Sequence, residues 1–192
     1  MFKDYRNYFP VTDEKWNVFV SCFRQMDIPA KTTLLEEGEI PQKMFLIEKG
    51  CIRVWFNNHG TDVTTQFFFE NKMVSSIESF RKGIPSPVAI ETIEPCKLWW
   101  MKKTDVDKVI HEMMEIPELR DLFIDLISNR MYDYMKFFIA TIKDPPAIRY
   151  LKLMKERPEI IQRVPQHYIA SYLGITPVHL SRIKGKIARE EI

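Results

Sequence analysis

The sequence predicts an α+β fold in which an antiparallel sandwich or roll is followed by a long helix and a small helix-turn-helix. Three observations carry this prediction. Between Ile28 and about Met101, short runs of alternating apolar and polar residues are separated by turn signals. From Pro117 to Lys143 no further proline or glycine interrupts a helical pattern, and Val164 to Arg189 reads as two short helices about a glycine.

At 192 residues, with 45% apolar and 12% aromatic content, the chain can fill one large domain or a medium and a small one. No apolar run reaches the ~18 residues of a membrane span, and the start MFKDYRNYFP lacks the apolar segment of a signal peptide, so a cytoplasmic protein with no membrane partner is expected. Cys22, Cys51 and Cys96 lie far apart with no C-x-x-C pair, which supports neither a disulfide framework nor a structural zinc site; each is expected to be a small buried apolar residue. The net charge of +2 hides an asymmetry: from Lys143 onward ten Lys/Arg face five Asp/Glu, a net of +5, leaving −3 for residues 1–142. A basic C-terminal piece on a mildly acidic body points to nucleic acid at that end.

In chain order, Thr12 can cap a helix with Trp16, Phe19, Val20 and Phe23 on one face, ending near Met26. Strand patterns follow at Ile52-Val54-Phe56, at Val63-Thr65-Phe67-Phe69 and from Val88 to Ile90. Turn signals fall at Glu37-Gly38, Lys49-Gly50, Asn57-Asn58-His59-Gly60 and Gly83-Ile84-Pro85. From Thr104 the period returns to 3.6, with Val106, Val109, Ile110 and Met113 on one face of a short helix.

Pro117 then opens the long helix. Leu119, Leu122, Phe123, Leu126, Ile127, Arg130, Met131, Tyr134 and Phe138 form a stripe along it, wider than a coiled-coil seam needs. A helix of about 25 residues is about 38 Å long, more than a small roll covers, so part of the stripe is expected to pack on a second copy of the chain. Pro145-Pro146 marks a hinge, a helix is expected over Ala147 to Glu156, and Ile160-Ile161-Gln162-Arg163 reads as a short extended linker.

In the last segment Ile169, Tyr172 and Leu173 mark the buried face of a helix from about Gln166 to Leu173. Gly174 supplies the left-handed end that only glycine adopts cheaply. Thr176 caps the next helix and Pro177 occupies its first position. Leu180, Ile183 and Ile187 face inward; His179, Ser181, Arg182, Lys184 and Lys186 face outward, and no carboxylate lies between Val164 and Arg189. Helix, glycine turn and basic helix make a helix-turn-helix whose second helix enters the major groove of duplex DNA. Arg182 suits a bidentate contact to guanine O6 and N7, Val178 a thymine methyl, and His179 or Ser181 an adjacent base or phosphate. Gln166, Thr176, Lys184 and Lys186 are assigned to phosphates.

The order of these parts resembles the Crp/Fnr family of bacterial transcription regulators. The resemblance rests on Glu37-Gly38, on Phe45-Leu46-Ile47-Glu48-Lys49-Gly50 leading into Ile52-Arg53-Val54, and on Ile169 through Pro177 with Leu180-Ser181-Arg182-Ile183. It implies a cyclic-nucleotide-binding-like sensor domain over residues 1–116, a β-roll of double-stranded β-helix or jelly-roll type. It further implies a dimerisation helix over 117–143 and a DNA-binding domain over 144–192. The implied function is a homodimeric, sequence-specific regulator on an inverted repeat, with RNA polymerase as a further partner. Since the chain ends at Ile192, soon after the recognition helix, a full wing is not expected.

The departures from the family pattern bear on the effector. Cyclic-nucleotide-binding members carry a Gly-Glu pair for the ribose and an Arg-Ser or Arg-Thr pair for the phosphate; here Ser75-Ser76 and Ser86-Pro87 stand in their places. Without the arginine, and with proline removing an N–H, a buried phosphate would go uncompensated, so cyclic AMP is not expected to bind. Another small molecule in a pocket of Val74, Ser75, Ser76, Ile77, Ser86 and Val88 stays open. No iron-sulfur or haem site is expected, because only Cys22 lies near the N-terminus and His59 and His111 read as solvated. The Arg-Glu pair many relatives place early in the recognition helix is Pro177-Val178 here, which implies a different operator. A ligand-binding or protein-interaction module with degenerate DNA binding is the alternative function. No phosphate loop, H-E-x-x-H or nucleophile elbow supports an enzyme.

Overall fold

The computed structural model describes Phe2 and residues 6–189. The chain divides into two compact units: Met1–Ile52 with Phe68–Met131, and Arg53–Phe67 with Tyr132–Ile192.

Helix α1, Asp13–Ser21, is capped by Thr12, whose hydroxyl accepts from the Lys15 amide at 3.3 Å. It ends short of the expected Met26. Arg24–Ile28 forms strand β1, which pairs residue by residue with Cys96–Lys102 (β8), from Arg24 opposite Trp100 to Ile28 opposite Cys96. Phe23 and Met26 fit a helical face in sequence, and cross-strand pairing overrides that local pattern. Strands β2 (Thr33–Leu35), β3 (Lys43–Lys49), β4 (Ile52–Asn58), β5 (Thr61–Phe68) and β6 (Met73–Val74) follow; helix α2, Ile77–Lys82, then precedes β7, Ala89–Thr92. One sheet has the order β1-β8-β3-β6 and the other β2-β7-β4-β5.

In the first unit Phe23, Leu46, Phe80, Met101 and Val106 form a core cluster, with Phe2, Phe19, Trp99 and Ile110 packed against it. Val106 and Ile110 come from helix α3, Lys103–Met114, so the return to a 3.6 period places apolar residues against the sheet. Cys51 and Cys96 are buried as expected, whereas Cys22, at the end of α1, is half-buried.

Glu48 on β3 is held by Lys97 at 3.2 Å and accepts from the Trp99 indole N–H. Burial works against its ionisation, but the hydrogen bonds from Trp99 and Lys97 and the Lys97 charge outweigh this and keep its carboxyl below the usual glutamate value. The depressed value stabilises the fold fully above the ordinary glutamate range, and this contribution is lost as pH falls through the folded value. Glu48→Gln is therefore expected to lower the urea midpoint at pH 7, with the difference from wild type closing as the titration is repeated towards pH 3.

Helix α4 runs from Pro117 to Lys143 without interruption, a length of roughly 40 Å. Beyond it lie α5 (Pro146–Glu156), α6 (Pro158–Arg163), α7 (Gln166–Tyr172) and α8 (Pro177–Ala188). The expected extended linker over 160–163 is instead part of α6. Pro158 sits in its first turn beside Glu159, Arg163 lies in its last, and Ile160 is fully buried. These are helix-terminal preferences acting over too few residues to show a period.

Candidate nucleic-acid interface

The turn between α7 and α8 is built by hydrogen bonds that the sequence fixes. Gly174 has φ +65, its amide donates to the Ser171 carbonyl at 2.9 Å, and the Ile175 amide donates to the Ala170 carbonyl at 3.0 Å. This pair of bonds is a Schellman closure, which needs a residue content in the left-handed region. Two residues on, Thr176 is extended and its hydroxyl accepts from the His179 amide at 3.2 Å, with Pro177 at the first position of α8. Ile169, Ala170, Leu173, Leu180 and Ile183 are buried together with Ile160 and Val164. Ile187, expected to face inward, is half-buried.

The outer side of α8 carries the predicted contact set. Pro177, Val178, His179, Ser181, Arg182 and Lys186 are exposed, as are Gln166 on α7 and Thr176 in the turn, while Lys184 is half-buried. Arg182 has no partner among the described residues, so its guanidinium is free to fork onto a base edge.

What the sequence did not reveal is how α7 is held. Within the second unit the β4–β5 hairpin grips it: the Ser171 hydroxyl accepts from the Thr64 amide at 2.9 Å and donates to the Asp62 carbonyl at 2.7 Å. The buried Arg53 guanidinium lies 4.0 Å from the Tyr168 ring centroid and pairs with Asp62 at 3.1 Å. Tyr172 stacks on Phe137 at 4.8 Å and meets Phe67 at 5.3 Å. Burial pushes the Tyr172 hydroxyl above its ordinary pKa, with Arg157 pulling the other way. Ser171 and Tyr168 carry no sequence signal for this role, because the contacts span about a hundred residues.

Along α4 the predicted stripe divides. Leu119 is buried in its own chain, and Arg130 is engaged by the Met73 carbonyl at 3.2 Å and by the Phe68 ring at 4.5 Å. Leu122 and Phe123 are half-buried. Leu126, Ile127, Met131, Tyr134 and Phe138 are exposed, together with Ile124, Tyr132, Met135, Ile139 and Ile142. Tyr134 also donates its hydroxyl to Gln66 at 3.0 Å. Leu119 is thus internal packing, and the open apolar face begins further along the helix.

Residues 25–113 match the cyclic nucleotide-binding domain family. Over nearly its whole length the chain superposes on CLP, the c-di-GMP-responsive global regulator of Xanthomonas campestris: TM-score 0.73, 14% identity, 94% of this chain and 93% of that one. It likewise matches a protein described as a transcriptional regulator of the Crp/Fnr family from Eubacterium rectale: TM-score 0.72, 16% identity, covering 96% and 89%. The chain shares the fold of Crp/Fnr regulators. CooA from Carboxydothermus hydrogenoformans is a further structural relative, with TM-score 0.69, 13% identity and coverage of 91% and 79%. No curated protein sequence matches the chain.

The residues expected to line an effector pocket do not gather around one cavity. In the first unit a cavity of about 240 Å³ lies beside Gln42, Trp100 and Thr104, and another of about 80 Å³ is lined by Leu35, Glu39, Gln42, Phe45, Ser75 and Ile90 among others; pockets for small ligands run to about 300–1,000 Å³. Of the six residues expected to line a pocket, only Ser75 reaches this cavity. Val74 is buried, Ile77 is 45% exposed on α2, and Ser76 stands at the N-terminal boundary of α2 without a side-chain capping bond. The buried Ser86 is spent internally: its hydroxyl donates to the Val88 carbonyl at 2.6 Å and its amide to the Glu39 carbonyl at 2.9 Å. Among the described residues no cluster of three or more His, Cys, Asp or Glu could hold a metal ion, and no helix is long and apolar enough to cross a membrane.

Proposed function

We propose that this chain is a sequence-specific DNA-binding transcription regulator of the Crp/Fnr type. It acts in the cytoplasm as a homodimer on an inverted repeat and answers to a signal other than cyclic AMP. The observation that carries the reading is the α7–α8 pair: a capped recognition helix exposing Arg182, which has no partner among the described residues, with neighbouring lysines in a segment that has no carboxylate from Val164 to Arg189. In this reading residues 1–116 are the sensor, 117–143 the dimerisation helix and 144–192 the DNA-binding domain. Two recognition helices then address half-sites about 34 Å apart. The expectation about the wing rests on the short linker Arg157 to Arg163, where Pro158–Arg163 is α6, and on the end at Ile192, where residues 190–192 lie outside the described residues.

The test is selection from random duplexes at several salt concentrations, with Arg182→Ala beside the wild type. An inverted repeat should be enriched, and the variant should lose discrimination at one base pair per half-site, by about 1–3 kcal/mol. Wild-type binding that is absent, or indifferent to both salt and sequence, would turn the reading towards a protein-interaction module.

A further inference from the structure

A glycine inside a helix costs about 1 kcal/mol relative to alanine, so it usually marks a place where a side chain would collide. Gly185 lies inside α8, yet a Cβ built on it meets nothing within 4 Å, and its backbone is not among the left-handed glycines. Neither packing nor backbone conformation within the chain calls for glycine there. Gly50 is the contrasting case, where a Cβ would lie 2.9 Å from the Cα of Cys96.

At about 100° per residue, Gly185 falls on the same side of α8 as Val178 and Arg182, opposite the buried Leu180 and Ile183. That side is flanked by Lys184 and Lys186 and belongs to a segment without carboxylates, so the complementary partner is a polyanion. A helix with its side chains is about 10–12 Å across and the major groove about 12 Å wide, which leaves no slack for an extra group on the leading face.

We infer that Gly185 is a close-approach point for duplex DNA. The missing side chain lets the backbone of α8, one turn past Arg182, lie against the sugar-phosphate wall of the groove, so that Arg182 reaches the base edges. The inference rests on the DNA-binding reading and adds a residue that acts through the space it leaves empty.

The test uses the full chain, the duplex selected by the wild type, and the variants Gly185→Ala and Gly185→Leu. Alanine should raise the melting temperature by about 2–4 °C while weakening DNA binding about tenfold. Leucine should weaken binding further, and the salt slope should stay unchanged because no phosphate-pairing charge is removed. Variants that bind as tightly as wild type, or tighter, overturn the inference and leave the DNA-binding reading intact. A loss of both stability and affinity also overturns it, by showing that the glycine serves the helix itself. Failure of the wild type to bind any duplex defeats both readings together.

Discussion

Gly50→Ala is expected to be the most damaging single substitution in the first unit, costing about 2–6 kcal/mol through two separate effects. The first is backbone strain. Gly50 sits between β3 and β4 at φ +115, a region that a residue with a Cβ occupies only at a cost of about 1–3 kcal/mol. The second is a collision: the new Cβ would overlap the Cys96 thiol and stand 2.9 Å from its Cα, and Cys96 is the buried first residue of β8. Cys96 pairs with Ile28 on β1, so relieving the overlap means moving a strand. Native domains have about 5–15 kcal/mol in all, so much of the stability is at stake.

Gly60→Ala separates the two effects, because Gly60 has φ +88 but open space around it. Urea unfolding should show Gly60→Ala paying only the strain and Gly50→Ala clearly more. Cys96→Ala in the Gly50→Ala background should restore part of the difference. Equal costs at the two glycines would mean that the close approach to Cys96 contributes nothing.

The parts of the fold legible in sequence are those fixed by residues near one another in the chain. Gly174, Thr176 and Pro177 specify the turn between α7 and α8 through bonds that reach no further than five residues, and the structure has each of those bonds. The ends of α4 were readable for the same reason, because Pro117 and Pro145-Pro146 punctuate it. Where partners are distant, the reading failed. Arg24–Ile28 looks like the end of a helix until Cys96–Trp100 is there to pair with it. Leu119 continues the apolar stripe of α4 in sequence, and only burial separates it from Leu126. The Ser171 bonds to Asp62 and Thr64 join residues more than a hundred positions apart, and serine at such a position signals nothing by itself. The basic side of α8 was legible, but the lack of any neighbour to explain Gly185 is visible only in three dimensions.

In the proposed homodimer, Met131→Glu combined with Phe138→Glu is expected to release a folded monomer. Both side chains are more than half exposed in the single chain, at 60% and 65%, so carboxylates there stay hydrated in the monomer and folding should be little affected. In a dimer the same positions are central. Ile124, Ile127, Met131, Tyr134 and Phe138 follow a 3-4-3-4 spacing, the seam of a two-helix coiled coil, and all five are exposed. Two carboxylates per chain in that seam would face their own copies across it, adding repulsion to the cost of burying unpaired charge. Sedimentation should therefore report a monomer with unchanged circular dichroism. In the proposed DNA complex the consequence is larger than the loss of contacts on α4 suggests, because the bases are assigned to α8. In that proposed complex two recognition helices on one dimer would engage the second half-site at high effective concentration, and uncoupling them should reduce affinity for the full inverted repeat by about 10²–10⁴. Affinity for an isolated half-site should barely change, since α8 is untouched. A variant that remains dimeric would remove α4 as the interface. A monomer that still binds the full repeat at wild-type strength would show that each chain reads its DNA alone, and that the exposed seam serves a different partner.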